Sequence, residues 1–255
     1  MSATLLEARG LDKSYGKIGV LHDVSLTIGE GESHVVIGPN GAGKTTLFKV
    51  LTGELFADRG AVMFQGADVT RMSAHQRVHR GFGRTFQVAK VFPKLSVRDN
   101  LQIALEARAR KGNPIAPLSK NAAKALPEAI ERLLADIGLQ AQRDTISGTL
   151  AYGDRKRLEM AMVLALEPAV LFLDEPTAGM SAAERQATVQ LLQAVKRQRS
   201  LSMLMTEHDM DVVFGLADRI SVLHYGELIA SGTPEAIRCD ERVKEVYLGH
   251  EDGHA

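Results

Sequence analysis

The sequence predicts an α/β fold: a parallel-sheet core, an antiparallel β part ahead of it and a helical insertion within it. Three observations carry this prediction. Gly38-Pro39-Asn40-Gly41-Ala42-Gly43-Lys44-Thr45-Thr46 fits G-x-x-x-x-G-K-[ST], between a strand pattern and a helix pattern. Residues 4–30 alternate apolar and polar positions around short turns, as antiparallel strands do. Residues 95–147 read instead as helices, after which two apolar runs, 169–173 and 201–205, have the look of buried parallel strands.

The glycine-rich stretch is the organising element. His34-Val35-Val36-Ile37 before it is a buried strand, and Leu47, Phe48, Val50 and Leu51 after it fall at helical spacing. Glycines at 38, 41 and 43 let the backbone wrap closely round a polyphosphate. The following helix turns its unpaired N–H groups and positive end to the same anion. Lys44 can reach the β- and γ-phosphates, and the Thr45 hydroxyl can ligate Mg²⁺. The stretch is a nucleoside triphosphate site.

At 255 residues, 45% apolar and 24% charged, the chain has room for one large domain or a core with an inserted subdomain. Lys+Arg and Asp+Glu are both 31, so overall charge favours neither nucleic acid nor an anionic membrane. Cys239 is the only cysteine, which excludes an intrachain disulfide and suits a reducing compartment. No secretory signal is visible after Met1, and Glu167 and Pro168 break the longest apolar stretch well short of the ~20 residues of a membrane span. The expectation is a cytoplasmic protein, held at a membrane only by a partner.

In chain order, the alternation around Leu5, Leu11, Val20, Leu21, Val24, Leu26 and Ile28 gives the first strands. Tyr15 lies in the turn between them; it could stack on an adenine, and its position serves a packing tyrosine equally well. After the loop helix come strand pieces at 61–64 and 67–69, a short helix from Ser73 to Arg80 capped by Ser73, and a strand ending at Gln87. A helix begins at Ser96-Val97 and runs to about Arg110, where Gly112, Pro114 and Pro117 interrupt it. A second helix puts Ile130, Leu133, Leu134 and Ile137 on one face and ends at Gly138. The basic run Arg108, Arg110, Lys111 reads as a solvated face. Leu150-Ala151-Tyr152-Gly153-Asp154 precedes a helix expected from Arg155. The strand at 169–173 ends in Asp174-Glu175-Pro176, and the strand at 201–205 leads into Thr206-Glu207-His208-Asp209. A hairpin over 220–229 turns at His224-Tyr225-Gly226, and 234–248 reads as helical.

Carboxyl ends of parallel strands face the ligand crevice, so Asp174 and Glu175 are placed for a metal and a water. Asp174 is the candidate Mg²⁺ ligand and Glu175 the candidate general base. His208 can hydrogen-bond a γ-phosphate, and the Gln87 amide can contact the metal or the attacking water.

The order Tyr15, the 38–46 loop, Gln87, Leu150 to Asp154, Asp174-Glu175 and His208 resembles the ATP-binding subunit of an ABC transporter, over essentially the whole chain. The resemblance implies a single domain, 1–255, in which 1–92 and 155–255 form a RecA-like P-loop NTPase core with its antiparallel β part. It implies that 93–154 is a helical subdomain that docks on membrane permease subunits. ATP and Mg²⁺ are the implied cofactors. Two ATP molecules would be sandwiched in a head-to-tail dimer with a second copy or a paralogue, each facing one subunit's loop and the other's signature, here Leu150-Ala151-Tyr152-Gly153-Asp154. An external solute-binding protein would act indirectly, and nucleic acid is not an implied partner.

Two departures from the family pattern bear on dimer closure. The usual signature is Leu-Ser-Gly-Gly-Gln; Ala151 lacks the serine hydroxyl, and Asp154 adds a negative charge. Ser181 stands where an aspartate is usual. Gly83-Arg84-Thr85-Phe86-Gln87, the Leu-Ala-Tyr-Gly signature, Glu207-His208-Asp209-Met210 and the ending from Gly232 to Gly249 resemble the bacterial branched-chain (hydrophobic) amino-acid importers. Importers of urea, short amides or aromatic acids share much of the pattern, and the lipopolysaccharide-export ATPase shares the ending. A soluble ATPase of iron–sulfur-cluster assembly is the alternative outside transport. DNA-repair and translation relatives would need long heptad repeats or a second cassette, and a non-hydrolysing module would not need Glu175 and His208.

Overall fold

A computed structural model describes residues 3–85, 89–110, 113 and 115–248. Strands Thr4–Tyr15 (β1) and Ile18–Gly29 (β2) form the expected hairpin; Arg59–Phe64 (β4) pairs with β1 and Ala67–Asp68 (β5) with β4, giving an antiparallel sheet ordered β2-β1-β4-β5. The second sheet is ordered β10-β9-β3-β8-β7-β6. Its strands are Ser33–Ile37 (β3), Phe82–Arg84 (β6), Val170–Asp174 (β7), Ser202–Thr206 (β8), Arg219–His224 (β9) and Glu227–Gly232 (β10). All neighbours pair in parallel except the β9–β10 hairpin.

The central strands are buried almost throughout and mostly apolar because both faces are covered. Along β7, Val170 and Phe172 enter one core and Leu171 and Leu173 the other. The first core lies between the two sheets and the helix Lys44–Thr52 (α1), where the Phe172 ring stacks on Phe82 at 5.5 Å and meets Phe48 edge-on at 5.9 Å. The second joins the opposite face to the helices Val97–Ala109 (α3), Lys120–Ile137 (α4), Tyr152–Leu164 (α5), Ala182–Arg199 (α6) and Met210–Leu216 (α7).

Local chemistry explains most boundaries. The short helix Ala74–Val78 (α2) starts at Ser73 with a reciprocal capping box to Gln76, α3 is capped by Ser96, and α4 ends on Gly138 at φ 67°. Three elements depart from the sequence reading. First, α5 begins at Tyr152 rather than Arg155: Ala151 takes the extended cap conformation without a side-chain bond, and Gly153 is accommodated in the first turn against Glu184. Second, the C-terminal helix is two, Pro234–Cys239 (α8) and Glu241–Leu248 (α9). They part at Asp240, which is extended and accepts the Arg242 N–H at 2.9 Å. Third, α6 and α7 fall on residues to which the sequence reading assigns no element; α6 buries only Thr188, Leu192 and Val195.

Arg108 pairs with Glu167 and Arg110 with Glu106 at 3.0 Å, so these two of the basic run are ion-paired; Lys111 lies outside the described residues. Gln87 lies outside the described residues.

Candidate functional site

The loop after β3 opens α1 as the motif requires. Gly41 and Gly43 have φ of 81° and 106°, and a Cβ on Gly43 would come within 2.8 Å of the Val20 carbonyl of β2. Gly38 is packed as tightly: a Cβ there would stand 2.1 Å from the Leu223 carbonyl of β9. The loop is clamped between the β1–β2 hairpin and the β9–β10 turn, and Gly226 donates its N–H to the Ala42 carbonyl at 2.9 Å. α1 has no side chain capping its N-terminus and no acid in its first turn, so its leading N–H groups are presented for an anion. Lys44 is buried, and its Nζ donates to the Gly38 and Pro39 carbonyls at 2.6 and 3.0 Å. Burial pushes its pKa down, and Glu175 and Asp174 oppose that shift, so the three charges share one neighbourhood. Asn40 and Thr45 are exposed, and Thr46 is half-buried.

Strand order explains the rest. β3, β8 and β7 are adjacent and parallel, with Val36 opposite Thr206 and Thr206 opposite Asp174. The loop, the two acids and His208 therefore emerge at one edge, from positions far apart in the chain. Thr206 Oγ1 donates to Asp174 Oδ1 at 2.8 Å and accepts the Glu175 N–H at 3.2 Å. His208 Nε2 lies 2.8 Å from Glu175 Oε1. Glu175 has φ 48° and precedes Pro176, a left-handed conformation that costs a non-glycine residue about 1–3 kcal/mol and persists only where neighbours impose it. A carboxylate in contact with an imidazole, beside a lysine-bearing anion loop, can hold and deprotonate a water next to a phosphoryl group.

Residues 21–178 match the family model described as ABC transporter. The chain belongs to the ATP-binding family of ABC transporters, and it is an ATPase. Residues 227–253 also match the model of the branched-chain amino acid ATP-binding cassette transporter. A lipopolysaccharide export ATP-binding protein of Acidithiobacillus ferridurans is 37% identical, over 96% of this chain and 97% of that one. A high-affinity branched-chain amino acid transport ATP-binding protein of Salmonella typhimurium is 36% identical, over 98% and 99%. Among solved structures, the ADP conformation of an ATP-binding cassette superposes with a TM-score of 0.82 at 28% identity, over 97% of this chain and 100% of that one.

In this ABC ATPase the segment from Leu150 to Asp154 leads into α5. Leu150 is buried in the core and donates its N–H to the Ser147 carbonyl at 3.3 Å, Ala151 is exposed, Gly153 faces Glu184 of α6, and Asp154 accepts from Arg157. α5 lies against β6, where Val163 would be 2.7 Å from a Cβ on Gly83. That strand is three places from β3 in the sheet, or about 14 Å at the usual strand spacing. The charge of Asp154, which sequence alone sets against anion binding, is paired with Arg157 in the next turn. Ser181 caps α6 in a reciprocal box with Glu184. Tyr15 is half-exposed at the tip of the β1–β2 hairpin.

Sequence reading missed three residues. Arg84 contacts Glu54, the Thr52 hydroxyl at 3.1 Å and Asp174 at 3.7 Å, tying the end of α1 to the metal-candidate acid. Arg77, fully buried, donates to the carbonyls of Val50, Leu51, Val69, Thr70 and Met72, and burial pushes its pKa down to about 10. Glu207 is buried beside His208. Arg84 and Glu207 stand inside sequence motifs, but the partners that give them a role are brought up by strand pairing; Arg77 has no local signature and is defined by the packing of α2 on the end of α1.

Proposed function

We propose that the chain is the ATP-hydrolysing subunit of an importer for branched-chain or other hydrophobic amino acids, or a related small solute. It works on the inner face of the cell membrane. The match of residues 227–253 to the branched-chain model carries this reading, and the Salmonella relative supports it. Permease subunits dock on the helical subdomain, 93–154, which is inserted in the nucleotide-binding core of 1–92 and 155–255. An external solute-binding protein delivers the cargo.

The donor set fits ATP with Mg²⁺: an uncapped helix end, a buried lysine, and oxygen donors on Thr45 and Asp174. The bound metal supplies charge neutralisation at the β- and γ-phosphates. Residues 38–46 wrap the phosphates, Lys44 neutralises them, and Tyr15 takes the adenine. Thr45, Asp174 and Gln87 hold the metal. Glu175 accepts the proton of the attacking water, and His208 orients Glu175 and bonds the γ-phosphate. The exposure of Ala151 at the start of α5 favours a head-to-tail dimer, in which Leu150 to Asp154 close over the partner's nucleotide. Ala151 itself makes no side-chain cap bond, and the backbone donors at the start of α5 take the place of the serine hydroxyl.

The Acidithiobacillus relative favours a second reading, export of lipopolysaccharide. Purifying the tagged chain with its membrane partners separates the two. Import predicts ATPase stimulation by a leucine-, isoleucine- or valine-loaded binding protein; stimulation by lipopolysaccharide instead supports export.

A further inference from the structure

Glu207 takes no part in the chemistry above, yet its carboxylate joins the two loops that carry it. Oε1 accepts the Thr177 N–H at 2.9 Å and the Thr177 hydroxyl at 2.6 Å, and Oε2 accepts the His208 N–H at 3.1 Å. Glu207 and Thr177 are each 3% exposed, and among the described residues no cation forms an ion pair with Glu207. A buried carboxylate held only by neutral donors is costly to keep, and a neutral side chain would fill the space at less cost. Its three bonds are what it supplies.

Those bonds meet a specific mechanical need. Glu175 is left-handed and precedes a proline, so its backbone must be held on both sides. On one side its N–H donates to the Thr206 carbonyl at 3.1 Å and to the Thr206 hydroxyl. On the other side Pro176 leads at once to Thr177, which Glu207 grips twice. The same carboxylate fixes the backbone of His208, whose ring meets Glu175 at 2.8 Å. We propose that Glu207 is a positioning residue for ATP hydrolysis. Its carboxylate locks Thr177 to the His208 backbone and so keeps the Glu175 carboxylate and the His208 ring in contact.

The inference rests on Glu175 as the base, and the test separates the two. In the full chain, Glu207→Gln places an amide donor against one of the three donors, and Thr177→Val removes one bond while keeping shape. Thr177→Ser keeps the hydroxyl. Turnover at saturating ATP–Mg²⁺ should fall about tenfold or more in Glu207→Gln and Thr177→Val. Equilibrium affinity for a labelled ATP should stay within about threefold, because Lys44 and the loop are untouched. Thr177→Ser should stay within about threefold of the parent in turnover, which a role in packing alone would not demand. Normal turnover by Glu207→Gln, equal turnover by the valine and serine variants, or parallel loss of affinity and turnover each overturns the proposal. Glu175→Gln is assayed alongside. Normal turnover there overturns the base assignment and this inference together, whereas lost turnover there with normal turnover by Glu207→Gln overturns this inference alone.

Discussion

Lys44 shows how much one side chain is asked to do at a phosphate site. It is buried beside two acids, and its ammonium is aimed along the loop by the Gly38 and Pro39 carbonyls. Charge-assisted hydrogen bonds are worth about 1.5–3 kcal/mol each, so Lys44→Ala should weaken ATP binding about 100-fold. Equilibrium binding of a labelled nucleotide measures this, and unchanged affinity would place the site elsewhere. Lys44, Asp174, Glu175 and His208 were legible in the sequence because each sits in a local pattern, a glycine-rich turn or the end of an apolar run. The contact of Thr177 with Glu207 was not, since the two stand 30 positions apart and are brought together by the pairing of β7 with β8. Asp154 was legible as a charge but not as half of an ion pair with Arg157.

Helix ends account for the next set of differences. Strands with both faces buried announce themselves in sequence, and so do capped helices such as α2 and α3. The start of α5 did not, because its cap is an alanine with no side-chain bond. Ala151→Ser should therefore add a cap worth about 1 kcal/mol, raising the melting temperature by about 2–4 °C. ATPase activity should stay within about tenfold, since one hydrogen bond is worth roughly 0.5–1.5 kcal/mol net. A larger loss would mean the segment is shaped around the alanine. Arg77 works in the same way at the other end of α1, where it caps the Val50 and Leu51 carbonyls from α2. Arg77→Met removes the guanidinium from those carbonyls and three others, of which those of Val50 and Val69 keep a backbone N–H, and should cost about 3 kcal/mol or more of unfolding free energy in urea titration. A cost below about 1 kcal/mol would show that water replaces the guanidinium.

The two sheets are welded at His34, which lies on β3 and bonds the Thr27 carbonyl of β2 at 3.1 Å and the Ser221 hydroxyl of β9 at 2.8 Å. Burial, reinforced by Arg219 and opposed by the Thr27 bond, pushes its pKa from 6.5 down to about 4. The native state thus excludes a proton that the unfolded chain takes up below pH 6.5. The stability this confers is complete above that pH and is lost as pH falls towards 4, to the extent of about 3 kcal/mol. Denaturant titration across that window should show a shallower decline for His34→Asn than for the parent; equal slopes would contradict the assignment. In the proposed mechanism, function in the whole assembly turns on Glu175. Glu175→Gln keeps the side chain's size but cannot accept the proton of the attacking water. The direct test is phosphate release at saturating ATP–Mg²⁺, with particle mass followed by light scattering, in the isolated subunit and in the assembled transporter. The account predicts hydrolysis at least ~100-fold slower than the parent, with ATP-dependent accumulation of a closed dimer. Near-normal phosphate release would remove Glu175 from the base role, and slow release with no dimer in either preparation would contradict the shared site.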